Sequence, residues 1–308
     1  MNYQWYPGHM TKAKRMMQED IKLIDLIIEL LDARIPLSSR NPDIDDLGRN
    51  KFRIVLLNKA DLADAVYNKQ WSEYFKKKGF YVLEINAKTG AGMKAIQGLV
   101  QEACREKIER DRKRGILNRP VRAMVVGIPN VGKSTFINSF AKKACTKTGN
   151  KPGVTKGKQW IRLNKSLELL DTPGILWPKF EDQTVGMRIA FIGSMNDDVI
   201  IMQEMAIDLI CAIAHRYPNV FSNRYGIDTD EILKEIKSTA DGEDLTKEEE
   251  TKKMAYEILK EIAEIRKCYA KAQELDYDKA AGIFVDDFRS GRLGRITLEY
   301  PTEADLNR

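Results

Sequence analysis

The sequence predicts a doubly wound α/β fold with a mostly parallel sheet, followed by an all-α region. Over the first half of the chain, short apolar runs typical of buried parallel strands alternate with amphipathic helical segments. Four of these runs end in polar loops, as expected where a nucleotide binds at the carboxyl edge of such a sheet. After about Pro178 one helix follows another, and only GRITLEY (294–300) has the character of a strand.

The elements are predicted in chain order from the periodicity of their apolar residues. A first helix is expected over Thr11–Lys22. The predicted strands are DLIIELLDA (25–33), FRIVLLN (52–58), FYVLEIN (80–86), VRAMVVG (121–127), GKQWIRL (157–163) and SLELLD (166–171). Between them, helices are predicted over 68–78, over one long segment from Gly92 to Arg114, and from about Gly132 onward.

The composition is that of a globular protein and argues against several classes. It is 43% hydrophobic and 31% charged, and the apolar run at 23–31 is too short to cross a bilayer and contains two acidic residues. The first residues lack the apolar segment of a secretory signal. Four widely spaced cysteines and only two histidines argue against a zinc site or a disulfide framework. We therefore expect a cytoplasmic protein without a membrane partner.

A phosphate-binding loop is predicted at GIPNVGKS (127–134), which fits G-x-x-x-x-G-K-[ST]. It follows an apolar strand and opens a helix, so its amides and the helix N-terminus favour an anion there. Lys133 is expected to bridge the β- and γ-phosphates, as a catalytic residue, and Ser134 to offer its hydroxyl to Mg²⁺. The residues expected to contact the nucleotide in this loop are Asn130, Val131, Gly132, Lys133, Ser134 and Thr135.

Two segments downstream complete a predicted γ-phosphate sensor. Asp171, in DTPG (171–174), is placed to hold a Mg²⁺-bound water, and the Gly174 amide to contact the γ-phosphate. Thr155 lies between, in the polar loop TGNKPGVTKG (148–157). Its hydroxyl or carbonyl would complete the Mg²⁺ shell only while a γ-phosphate is present, which predicts an order–disorder switch.

The tetrapeptide NKAD (58–61) predicts a guanine-specific pocket. Asp61 can accept two hydrogen bonds from the N1–H and N2–H₂ edge of guanine, which adenine lacks, and the Lys59 stem can cover the base. Asn58 can tie this segment to the phosphate loop. The next predicted strand ends at NAK (86–88), where the Ala87 amide can recognise guanine O6. The residues expected at the base are therefore Asn58, Lys59, Ala60, Asp61, Asn86, Ala87 and Lys88.

The order of these motifs is unusual, because the guanine half precedes the phosphate half. A circular permutation explains it, since the ends of a compact domain lie close together and can be joined without disturbing the sheet. The segment REKIERDRKRGILNRP (105–120) is the predicted join. As a consequence, DTPG falls at the end of the nucleotide-binding domain, where a γ-phosphate-dependent movement would act on the helices that follow.

Taken together, these motifs resemble the circularly permuted GTPases, and within them the YlqF/RbgA family of ribosome biogenesis GTPases. The resemblance covers nearly the whole chain. It rests on WYPGHMTKAKR, LDARIPLSSRNP, NKAD, GIPNVGKST, PGVTKG, DTPG and DYDKAAGIFVDDFRSGRLGRITLE. It implies a P-loop GTPase domain permuted in the order G4-G5-G1-G2-G3 (1–178) and a helical domain that binds RNA or the ribosome (179–308). It also implies GTP hydrolysis during late maturation of the large (50S) subunit, with the precursor particle as partner and a monomer off the ribosome.

The hydrolytic group is not evident in the usual position. Many GTPases place a glutamine directly after DxxG, but here that residue is Ile175. His9, in PGHM, is a candidate for orienting the water; its alternatives are a structural histidine or one that stacks on RNA. In related GTPases an asparagine at the Asn130 position accompanies K⁺, which makes Asn130 a candidate K⁺ ligand.

The net charge of +6 is concentrated in three basic clusters, at 11–15, 105–122 and 289–295. Such clusters attract nucleic acid, although each one alone is more typical of a solvated helix face. Acting together they favour RNA as a partner.

Three other classes fit less well. A kinase that uses ATP would share the phosphate loop, but Asp61 selects guanine. A membrane-linked signalling GTPase would carry a lipidation signal or a basic amphipathic helix, and the sequence suggests neither. An RNA-binding protein with a vestigial site is disfavoured by the intact Lys133, Ser134, Thr155 and Asp171.

Overall fold

The computed structural model describes residues 17–117, 119–142, 159–163, 165–171, 182–239 and 245–302. Within these ranges the chain forms two compact units. One runs up to Val185 and takes in the segment from Glu299, and the other is Gly186–Leu298. The predicted domain boundary at 178 lies outside the described residues.

A six-stranded sheet forms the centre of the first unit, in the order β3-β2-β1-β4-β6-β5. The strands are β1 (Leu26–Asp32), β2 (Phe52–Asn58), β3 (Tyr81–Glu84), β4 (Val121–Val126), β5 (Gln159–Arg162) and β6 (Leu167–Asp171). All neighbours are parallel except β5, which runs antiparallel to β6. The predicted doubly wound, mostly parallel architecture is confirmed.

The strand order explains how distant motifs meet. β2 carries the guanine motif and β4 the phosphate loop, and β1 lies between them. Because all three strands are parallel, their carboxyl ends share one edge of the sheet. Every residue of β1 is buried, so its apolar sequence fits a central strand covered on both faces.

Helices connect most of the strands of this sheet. They are Asp43–Leu47, Ala65–Lys77, Ile96–Ala103, Arg105–Lys113 and Lys133–Lys142, with 3₁₀ turns at Ile21–Leu23 and Met93–Ala95. Of the predicted first helix, residues 17–20 are helical, and residues 11–16 lie outside the described residues. The short helix Asp43–Leu47 is missing from the predictions, because five residues are too few for a 3.6-residue period to emerge.

The single long helix predicted from Gly92 to Arg114 is wrong. The chain forms a 3₁₀ turn and two helices, which are separated at Cys104, where ψ is 16°. The second helix packs Lys107 inward, with its Nζ 2.9 Å from Asp111 Oδ2 and 3.5 Å from Asp25 Oδ2. The first helix therefore buries apolar side chains, whereas the second buries the charged pair Lys107 and Asp111.

The second unit is helical throughout its described elements. Its helices, with the one that leads into it, are Gln183–Phe191, Met202–Ile213, Asn219–Tyr225, Thr229–Thr239, Lys247–Ile265 and Tyr277–Arg289. The strand predicted at GRITLEY is not formed; the Thr297 amide donates to Tyr217 Oη instead of to a neighbouring strand. Among the described helices, none is both long enough and apolar enough to pass through a bilayer.

Candidate nucleotide site

The phosphate loop follows β4 directly and closes around its own lysine. Lys133 begins the helix Lys133–Lys142, is 8% exposed, and its Nζ donates to the carbonyls of Gly127 (2.9 Å) and Ile128 (2.8 Å). Its ammonium therefore lies inside the loop that would wrap the phosphates. The loop needs left-handed backbone at Asn130 (φ 57°) and Gly132 (φ 103°), and glycine adopts that conformation without strain.

The described part of the predicted magnesium site fits a hard cation. Ser134 lies in the first helical turn and is exposed, so its hydroxyl faces solvent at the helix N-terminus. Asp171 ends β6 opposite Val125 of β4, two residues before the phosphate loop begins. When bound, Mg²⁺ would neutralise charge between the β- and γ-phosphates. Thr155 and Gly174 lie outside the described residues, as does His9.

Asn58 joins the guanine motif to the phosphate loop, as the sequence predicts. Its Nδ2 donates to Val131 O at 2.8 Å, across 73 residues of sequence. Its Oδ1 accepts from the Ala87 amide at 2.9 Å. Since Asn58 is only 3% exposed, one buried side chain holds together the three segments that are predicted to bind the nucleotide.

The amides of the NAK segment are already engaged. The Ala87 amide, predicted to recognise guanine O6, donates to Asn58, and the Lys88 amide donates to Asn86 Oδ1 at 2.9 Å. Recognition of O6 by Ala87 therefore requires that amide to be shared with Asn58 or released from it. A further bond, from Ser139 Oγ to Ala87 O at 2.7 Å, ties the segment to the helix that follows the phosphate loop.

Lys59 spans the gap between the two halves. It adopts a left-handed φ of 57°, and its Nζ lies 3.0 Å from Asn130 O. Its stem therefore runs alongside the phosphate loop, where it can cover a base. Asp61 is exposed, and among the described residues no group hydrogen-bonds to its carboxylate, which leaves it available to a guanine edge.

The sequence predictions assign no role to Asp32 and Arg34, yet both lie at this site. Asp32 ends β1, is fully buried, and lies 3.0 Å from Lys59 Nζ. Arg34 donates from Nε (2.9 Å) and Nη2 (2.8 Å) to its two oxygens. Burial alone raises the pKa of Asp32, but the charges of Arg34 and Lys59 outweigh it and hold that pKa well below its usual value. The sequence feature that could have indicated this site is a carboxylate at the end of a central apolar strand.

Comparison with known proteins agrees with this geometry. A family model described as "50S ribosome-binding GTPase" matches residues 122–257. Ribosome biogenesis GTPase A of Bacillus cereus is 45% identical over 303 residues, covering 98% of this chain and 95% of that protein. The protein of the same name from Priestia megaterium is 44% identical over 306 residues, with 99% of each chain covered. The crystal structure of GNP-bound YlqF from T. maritima has a TM-score of 0.62 and 26% identity, covering 94% of this chain and 98% of that one.

The fold and the site define a P-loop GTPase whose domain is circularly permuted, with the guanine motif ahead of the phosphate loop on one continuous sheet. The alignment with the Bacillus cereus protein, at 45% identity over 98% of this chain, shows the family. The chain belongs to the ribosome biogenesis GTPase A family.

Proposed function

We propose that this GTPase acts in late maturation of the large (50S) ribosomal subunit, in the cytoplasm and as a monomer off the ribosome. Its nucleotide state would control docking on the precursor particle. The observation that carries the proposal is the buried Asn58 bridge, which unites the guanine and phosphate halves in a chain of this family. The family match described as 50S ribosome-binding supports the choice of subunit.

The path of the chain supports control by nucleotide. β6 ends at Asp171, beside the strand that leads into the phosphate loop, and the chain then continues into the helix Gln183–Phe191. A γ-phosphate contact at Gly174 would therefore act on the segment that connects the sheet to the helical unit, and Thr155 would contact the same phosphate from the loop before β5. Docking would be strong in one nucleotide state and weak in the other.

The basic clusters differ in how much charge they leave for RNA. In the cluster at 289–295, Arg289 pairs with Asp197, and Arg292 pairs with Asp286 and Asp287. In the cluster at 105–122, a smaller share of the cations is paired with carboxylates of the protein. The exposed cations of this cluster whose side chains make no hydrogen bond or ion pair with the described residues are Arg110, Arg112, Lys113, Arg114 and Arg119. We propose that RNA phosphates contact this group, at the join created by the permutation.

The experiment is co-sedimentation with precursor particles in the presence of a GTP analogue, GDP or no nucleotide. We expect firm binding with the analogue and release with GDP. Arg112→Gln/Lys113→Gln/Arg114→Gln should weaken binding and flatten its salt dependence. The matched control, Lys69→Gln/Lys76→Gln/Lys94→Gln, removes three exposed charges elsewhere and should change neither. Equal binding in all three nucleotide states would contradict the proposal.

His9 is proposed to orient the attacking water, since Ile175 has no group to do so. His9→Ala should lower turnover about 100-fold, within the range for general acid–base catalysis, while GTP affinity stays within about twofold. Single-turnover hydrolysis and equilibrium binding separate the two effects. Parallel loss of binding would assign His9 a structural role.

Asn130 is proposed to help coordinate K⁺ beside the phosphates, where the cation would supply positive charge to the transition state. Asn130 has a left-handed φ of 57° within the phosphate loop, and its carbonyl accepts from Lys59 Nζ at 3.0 Å. Turnover is expected to be faster in KCl than in NaCl at equal ionic strength. Asn130→Ala should remove that difference, and equal rates in both salts for the unchanged protein would contradict the assignment.

A further inference from the structure

The end of β1 lies where the two halves of the nucleotide site meet. β1 is hydrogen-bonded to β2 on one side and to β4 on the other, and Asp32 is in register with Asn58 of the guanine motif. A side chain at this position can reach both the NKAD segment and the phosphate loop. It is occupied by a carboxylate with no exposure to solvent.

That carboxylate holds the lysine expected to cover the base. Lys59 Nζ lies 3.0 Å from Asp32 Oδ2 and 3.0 Å from Asn130 O, so it has one acceptor on each side. A free lysine samples many rotamers, and fixing it on binding costs conformational entropy. Holding the ammonium before the nucleotide arrives removes part of that cost.

Arg34 keeps Asp32 ionised and oriented. Its guanidinium is 1% exposed and donates to both carboxylate oxygens, and its own amide donates to Oδ1 at 3.1 Å. With Lys59, the group contains two cations and one anion, so Asp32 is charged when it meets Lys59. The arrangement is stiff because two of its three members are completely enclosed.

The loop after Arg34 is fixed by the far end of the chain. The Glu299 carboxylate accepts from the amides of Leu37 (2.5 Å) and Ser38 (3.0 Å) and from Ser38 Oγ (2.6 Å). Ser39 Oγ in turn accepts from the Asp32 amide at 3.1 Å. Glu299 is 5% exposed, and its carbonyl accepts from Trp71 Nε1 at 2.9 Å, so this anchor is buried as well.

We propose that Asp32 is a positioning residue for nucleotide binding, which acts by holding Lys59, and that Glu299 supports it from the end of the chain. This inference rests on the proposed guanine site. The chain leaves the first unit for the helical unit and returns at Glu299, so a residue beyond the helices takes part in setting guanine nucleotide affinity. The residue that supports the Asp32 loop is thus the first one after the helical unit in the sequence.

A double-mutant cycle on GDP affinity tests the proposal in the full-length protein. Asp32→Asn and Lys59→Met should each weaken GDP binding about tenfold, while the double variant should be within about twofold of Lys59→Met alone. Such coupling is expected only if Asp32 acts through Lys59. An equal loss from Asp32→Asn in both backgrounds, or no loss at all, would overturn the inference.

A second variant serves as the control for a folding defect. Asp32→Asn leaves the buried Arg34 without its anion, whereas Asp32→Asn/Arg34→Gln replaces the pair by two neutral groups. In the absence of nucleotide, the double replacement should have a melting temperature close to that of the unchanged protein. Its GDP affinity should nevertheless be about tenfold lower. Retention of full affinity in this folded variant would overturn the inference.

Glu299→Gln tests the support from the chain end. It should lower GDP affinity about threefold, and this effect should vanish in the Lys59→Met background. The matched control is Glu102→Gln, which changes an exposed carboxylate. A loss that persists in the Lys59→Met background would overturn the role of Glu299. Absence of GDP binding by the unchanged protein would instead refute the guanine site itself.

Discussion

Asp61→Asn is expected to exchange guanine for xanthine specificity. The carboxylate is exposed and unengaged by described residues, so its two acceptor atoms are available to the N1–H and N2–H₂ groups of guanine. An asparagine offers one acceptor and one donor, which matches xanthine. Because a site built for a hydrogen bond rejects the mismatched partner strongly, GDP affinity should fall at least ~100-fold while xanthosine diphosphate gains a similar factor.

Equilibrium binding of GDP, xanthosine diphosphate and ADP to both proteins measures the exchange. Asp46→Asn, which changes an exposed carboxylate away from the site, should leave all three affinities unchanged. If Asp61→Asn lost GDP without gaining xanthosine diphosphate, Asp61 would be structural and NKAD would not define the base.

Gly132→Ala is expected to abolish nucleotide binding. Gly132 has a φ of 103°, and a Cβ there would lie 2.4 Å from Asn58 Nδ2. The methyl group would push the amide away from Val131 O, so the bond that joins the guanine motif to the phosphate loop would break. Leaving this buried amide unsatisfied should lower the free energy of unfolding by ~1–3 kcal/mol. GDP affinity should fall at least ~100-fold, or about 2.7 kcal/mol, because both halves of the site move.

Gly98→Ala is the matched control for that substitution. Gly98 lies in the helix Ile96–Ala103, and nothing lies within 4 Å of a Cβ built there. The change should therefore stabilise the protein by up to about 1 kcal/mol, the helix propensity difference between the residues, without altering GDP affinity. Calorimetric melting and titration with GDP report the two quantities. Gly132→Ala with unchanged GDP affinity would mean that the Asn58 bridge is not needed.

The sheet was predictable because its signals are local. Each strand is a short apolar run, and parallel strands buried on both faces need little else to be recognised. The motif order predicted the permutation, since NKAD and the phosphate loop each ended such a strand. Which strand lies between them was not predictable, because neighbour relations in a crossover sheet depend on pairing across the sequence.

The features that the sequence predicted wrongly or did not predict have a common cause. Cys104 interrupts a segment of continuous helical periodicity, and three residues later Lys107 is buried against Asp111 and Asp25, the second of which is distant in sequence. GRITLEY alternates like a strand, but its Glu299 carboxylate caps a loop instead of facing solvent. The role of Asp32 was missed because it depends on Arg34 and Lys59, which meet Asp32 at one edge of the sheet. Tertiary ion pairs and caps of this kind have no periodic signature.

Charge was the least reliable guide. The cluster at 289–295 is rich in arginine, yet Arg289 donates to the carbonyls of Phe191 and Ala190 and pairs with Asp197. Its charge therefore stabilises the helical unit. In the cluster at 105–122, Lys107 is 3% exposed and paired, so it too is unavailable to a partner. Composition counts such residues equally, whereas burial separates structural cations from those that face solvent.

Amide hydrogen exchange with and without GDP tests most directly whether the separated motifs form one site. The account predicts slower exchange on GDP binding in all three segments, 58–61, 86–88 and 127–135, although they lie far apart in sequence. The peptide 220–235 in the helical unit is the internal reference for global stabilisation. Protection confined to 127–135, with exchange at 58–61 and 86–88 unchanged, would contradict the account.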